Sequence, residues 1–121
     1  MQINQVLAAA HEGDATGDAA LTLAAALDEE GHRAGVYALT VDAPLRGRVR
    51  RMAELPESGA DDTTILHFNV PSLLSAELPT WNGRRLIVYH NLTPPELLIP
   101  HCPEIARITA LGAEQLRDLA A

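Results

Sequence analysis

Residues 2–41, QINQVLAAAHEGDATGDAALTLAAALDEEGHRAGVYALTV, decide the fold. Ile3, Val6 and Leu7 mark residues 2–9 as a strand that runs into small side chains. Residues 10–17, with His11, Glu12, Gly13, Asp14 and Gly17, read as a loop, and Asp18 can cap the helix that follows. Ala20, Leu23, Ala24 and Leu27 recur at helical spacing, and Gly31 stands where a C-terminal cap glycine belongs. Val36, Tyr37, Leu39 and Val41 then make residues 34–41 a second strand. Two strands joined through a helix run parallel, with a right-handed crossover.

The same alternation continues outward. Asp42-Ala43-Pro44 breaks the second strand, and residues 45–55 are expected to form a short helix carrying Arg46, Arg48, Arg50 and Arg51. Residues 56–62 form a polar turn and residues 63–69 a third strand with Ile65, Leu66 and Phe68. A short helix over 71–78 starts on proline. Asn82-Gly83 makes a turn, and residues 84–90, with Leu86-Ile87-Val88-Tyr89, give a fourth strand. After the break at Thr93-Pro94-Pro95-Glu96, residues 103–121 form the clearest helix, with Ile105, Ile108, Gly112, Leu116 and Leu119 on one stripe. The expected fold is α/β, a doubly wound parallel sheet of about four strands in the order 3-2-1-4 with flanking helices.

Composition narrows the function classes. One domain or part of one fits 121 residues, and an apolar fraction of 47% with only 3% aromatics implies an aliphatic core. Sixteen acidic residues against nine basic ones give a net charge of −7, which argues against general nucleic-acid binding. All nine basic residues are Arg, so mechanisms that need lysine, the P-loop among them, are excluded. One cysteine, no signal-like start and no apolar run of spanning length lead to the expectation of a cytoplasmic protein without a transmembrane segment.

Ligands of open parallel sheets bind beyond the strand C-termini, where the winding direction reverses. In the order 3-2-1-4 that point lies between strands 1 and 4, which end in His11-Glu12-Gly13-Asp14 and in His90-Asn91-Leu92-Thr93. Backbone N–H groups of the first loop can hold an anion at a helix start, although Asp14 and Asp18 oppose phosphate and the spacing is not the dinucleotide fingerprint. The competing reading is a plain capped turn. His90 is suited to hydrogen-bond a hydroxyl or phosphate. His67 and Asn69, at the end of strand 3, are expected farther from the crevice. His11, His67, His90 and Glu12 lack paired metal-ligand spacing, so no metal is expected. The Arg46–Arg51 cluster suits an acidic acceptor or a lipid headgroup, against the plainer reading of a solvated face paired with Asp42 and Glu54.

Several segments together resemble the N-terminal domain of the retaining glycosyltransferases of family 4. They are His11-Glu12-Gly13-Asp14-Ala15-Thr16-Gly17-Asp18, Asp61-Asp62, Val88-Tyr89-His90-Asn91-Leu92-Thr93-Pro94-Pro95-Glu96 and Leu111-Gly112-Ala113-Glu114-Gln115-Leu116. The run from Tyr89 to Glu96 is the most specific of them. The resemblance implies a GT-B fold, in which two Rossmann-like domains face each other across a cleft. The N-terminal domain mainly holds the sugar acceptor and the C-terminal domain holds the nucleotide-sugar. It further implies that His90 has a catalytic place in the cleft, and that His11, Glu12, Gly13, Asp14, Gly17, Asn91 and Thr93 face the acceptor. No metal or other cofactor is implied.

Residues 1–121 thus read as a partial, acceptor-side N-terminal domain that lacks the donor half and is inactive alone, since transfer needs both substrates positioned together. The strand over 84–90 would then be an exposed edge, which predicts a homodimer through that edge or the C-terminal helix. The alternatives are a free-standing, non-catalytic α/β binding or dimerisation module, and an unrelated small α/β enzyme using His90 or His11 as base.

Overall fold

The structure, a computed structural model, describes residues 1–90 and 94–120. Five strands form one wholly parallel sheet: β1 (Gln2–Ala10), β2 (Arg33–Val41), β3 (Arg50–Arg51), β4 (Thr63–Phe68) and β5 (Arg84–Tyr89). The helices are α1 (Ala15–Glu29), α2 (Leu73–Glu77), α3 (Pro95–Leu98) and α4 (Pro103–Ala120). The sheet order is β3-β2-β1-β4-β5, the doubly wound, Rossmann-like arrangement expected, with five strands rather than four.

The extra strand is β3, and it corrects the expected helix over 45–55. Gly47 has φ of +100°, outside the helical region, and 3₁₀ turns at Ala43–Leu45 and Met52–Glu54 bracket the two-residue strand. Val49 is buried, while Arg46, Arg48, Arg50 and Arg51 point to solvent. Val49 is thus the one buried side chain between Arg46 and Arg51. Asp42 and Glu54 take other partners than those expected: Asp42 binds His11, and Glu54 accepts from the Arg51 backbone N–H.

With β3 counted, the segment at 63–68 becomes the fourth strand and pairs directly with β1. The switch point therefore lies between β1 and β4, and β5 stands one strand beyond it. The first loop is also shorter than expected. Strand β1 runs to Ala10 and α1 starts at Ala15, with the Asp14 backbone as N-cap. Asp18 therefore lies inside the first turn, where its carboxylate faces the positive end of the helix dipole.

Register sorts the strand side chains onto two faces. Gln5, Leu7, Val36, Ala38 and His67 share one, and Val6, Tyr37, Leu66, Phe68 and Ile87 share the other. Helix α1 covers the first by laying Ala20 and Ala24 on Leu7, Val36 and Ala38. Helix α2, with Leu74, and the C-terminal half of α4, with Leu116 and Leu119, cover the second. Each fully buried Leu or Phe contributes roughly 1.5–3 kcal/mol. The small residues Ala106, Thr109 and Gly112 of α4 are buried, whereas Ile105, Ile108 and Leu111 are about half exposed. The large apolar stripe of this helix thus faces outward over its first half.

Asp62 belongs to the N-terminal end of the sheet. It accepts from the backbone N–H groups of Gln2 (3.1 Å) and Gly59 (2.8 Å), and both bonds hold its carboxyl below the usual carboxylate value. It is a tie between the β1 start and the turn before β4, at the opposite end of the strands from the expected crevice.

Candidate functional site

The C-terminal ends of β1, β2 and β4 are joined by side chains. Asp42, just past β2, accepts from the Glu12 backbone N–H at 3.1 Å, and its other oxygen lies 3.1 Å from His11 Nδ1. The His11 contact first and the Glu12 N–H second hold the Asp42 carboxyl below its ordinary value. The turn itself closes by a bond from Asp14 N–H to the His11 carbonyl, with Gly13 at φ of +76°. On the other side of the switch point, Asn69 Nδ2 donates to Thr16 Oγ1 at 3.2 Å, tying the end of β4 to the first turn of α1.

A second set of contacts lies on the face covered by α1. Gln5 is fully buried and its Nε2 donates to the Ala20 carbonyl at 2.8 Å. Gln5 Oε1 lies 2.7 Å from His67 Nε2, and His67 Nδ1 lies 2.9 Å from His90 Nε2. The two imidazoles stack with centroids 5.2 Å apart. Burial, followed by the neighbouring His90, lowers the His67 pKa to about 4, so this ring is neutral at physiological pH.

The expected site residues thus divide into four groups. His11, Glu12, Gly13 and Asp14 form the short loop after β1, with His11, Glu12 and Gly13 exposed. Gly17 lies in the first turn of α1 and is buried, its Cα side facing the His11 carbonyl, so it supports the loop rather than lining it. His90 follows β5 and turns onto His67. Asn91 and Thr93 lie outside the described residues.

His67 and Asn69 require a correction. They were expected away from the crevice, but β4 borders the switch point, and both side chains contact elements of the site. Gln5 and Asp42 were not singled out from the sequence. The available signal for Gln5 was a pair of adjacent amides, Asn4-Gln5, in a strand that is apolar from Val6 onward. Among the described residues, no three His, Cys, Asp or Glu side chains gather as a metal site requires. The arginines lie apart from these contacts: Arg46, Arg50 and Arg51, with Leu39, Val41 and Glu54, line a cleft of about 610 Å³ beside the outer end of β2.

Among the described residues, no helix is long and apolar enough to cross a membrane. Comparison with protein-family models, curated proteins and solved structures finds no match for this chain.

Proposed function

We propose that the chain is the acceptor-side part of a nucleotide-sugar-dependent glycosyltransferase of the retaining family 4 type, which transfers a hexose to a hydroxyl acceptor. The observation that carries this reading is the meeting of the His11–Asp14 loop, Asn69 and the His67–His90 pair at one end of the sheet, beside the switch point. Ligands of parallel sheets bind at that end. These residues carry two carboxylates, Glu12 and Asp14, and no arginine, and suit hydroxyl groups better than phosphates. On this reading His90 stands closest to the reaction, while His11, Glu12 and Asp14 border the acceptor.

Two titrations test it. Nucleotide-sugars added to these 121 residues are expected to show no detectable binding by calorimetry, because the donor is held elsewhere. A panel of sugars and polyols is expected to shift the NMR signals of His11, Glu12 and His90 together. Tight nucleotide-sugar binding, or polyol shifts clustered far from these residues, would overturn the assignment.

We further infer that β5 pairs with a second copy of the chain. Among the described residues no strand lies beyond β5, and Leu86 and Val88 on it are 53% and 37% exposed. An apolar edge of this kind is a template for strand addition. Light scattering at about 100 µM, enough to populate weak pairs, is expected to give a dimer, and Val88→Lys is expected to give a monomer. A monomeric wild type at that concentration would sink the inference.

A further inference from the structure

We propose that Gln5 and His67 are positioning residues that fix the polarity of His90, so that this ring meets a ligand through Nδ1 as a hydrogen-bond acceptor. The hydrogen-bonding role of a backbone carbonyl is not adjustable. The Ala20 carbonyl accepts only, so the Gln5 atom 2.8 Å from it must be the amide nitrogen, and Oε1 must face His67. Since Oε1 is an acceptor, His67 carries its proton on Nε2. A neutral imidazole holds one N–H, so His67 Nδ1 is bare and accepts. The 2.9 Å contact is then a bond donated by His90 Nε2–H. In neutral His90 the remaining nitrogen, Nδ1, is therefore bare.

The opposite polarity fails at a nameable place. If His67 donated from Nδ1, its bare Nε2 would face Gln5 Oε1 at 2.7 Å, acceptor against acceptor. Turning the Gln5 amide over would relieve that clash and create another, oxygen against the Ala20 carbonyl. The three side chains thus have one consistent arrangement, and it originates in α1. Gln5 and His67 are 0% and 3% exposed, so solvent offers neither an exchangeable partner.

Low His67 basicity supports the arrangement, because a protonated His67 would need to donate from Nδ1 into His90 Nε2–H. Among the described residues no partner takes Nδ1. A bare imidazole nitrogen at that position matches a ligand that donates, such as a sugar hydroxyl, and is suited to receive its proton. This deepens the proposed function and rests on its reading of His90 as facing the cleft.

The test needs no ligand, so its failure is distinct from failure of that reading. Long-range ¹H–¹⁵N spectra of the labelled protein at neutral pH are expected to show His67 and His90 both protonated at Nε2 and bare at Nδ1. A scalar coupling across the hydrogen bond is expected between His67 Nδ1 and His90 Nε2, with the proton on the His90 nitrogen. A proton on His67 Nδ1, or no coupling between the rings, overturns the proposal. In Gln5→Leu, both polarities become available to the pair. The preference for a proton on His90 Nε2, roughly tenfold in wild type, is expected to relax toward that of free histidine. An unchanged preference in folded Gln5→Leu would overturn control by Gln5. Should that variant not fold, the wild-type proton assignment decides the matter alone.

Discussion

Gly83→Ala is expected to destabilise the protein by roughly 2–4 kcal/mol, seen as a drop of about 10 °C in Tm. Gly83 has φ of +81°, a conformation that costs any side chain, and it also lacks room. A Cβ there would lie 2.5 Å from the Asp62 carbonyl oxygen and 2.7 Å from that of Gly59. Both neighbours are backbone, and the Asp62 carbonyl already accepts from Arg84 N–H at 2.8 Å. The chain cannot yield there without loosening the start of β5, the strand that leads to His90. Gly31→Ala is the control: its φ is +87°, with nothing within 4 Å of an added Cβ. It is expected to cost about 1 kcal/mol, from conformation alone. Equal losses from the two variants would refute the steric argument.

Acidification from pH 6.5 to pH 4 is expected to remove up to about 2 kcal/mol of stability through His67, after allowance for solvent screening. The His67 pKa is lowered from 6.5 to about 4 in the folded chain. Between these values the unfolded chain binds a proton that the folded chain excludes, so stability rises with pH across the window and is lost as pH falls through it. Asp42 and Asp62, both held below 3.8, add to the loss only at still lower pH. Urea unfolding at pH 7 and pH 4.5 measures the difference, and His67→Gln is expected to flatten it. A slope that survives in His67→Gln would assign the effect to other groups.

Much of this architecture was legible because the signals were local. Gly83 and Gly31 stood out as turn and cap, and both adopt positive φ. The four longer strands announced themselves by runs of branched and aliphatic side chains. β3 did not, because two residues are too short to show a period, and the apolar positions from Leu45 to Leu55 fit a helix as well. Its omission had a consequence out of proportion to its size. One uncounted strand moved the partner of β1 from Thr63–Phe68 to a more distant segment, and the crevice moved with it.

The candidate site was legible on one side only. His11 to Asp14 and His90 stood out because they follow apolar strands directly. Gln5 was passed over, and His67 was placed away from the crevice, because their pairing spans 62 residues of chain and register alone creates it. Helix α4 shows another limit. Its periodicity marks an apolar stripe, but which flank faces the sheet depends on how closely the backbones approach. Ala106, Thr109 and Gly112 permit the close approach, and Ile105 and Ile108 are left outside.

The four residues between β1 and α1 are gripped at both ends and in the middle, through the strand, through the helix start and through Asp42. Such a segment has already given up its conformational freedom when the chain folds. A ligand that meets it loses no affinity to ordering a loop, since that entropy cost is charged to folding. The same rigidity limits tolerance. Under the proposed function, fixed donors and acceptors could not shift to suit a misplaced hydroxyl, and discrimination would rest on geometry set before any encounter.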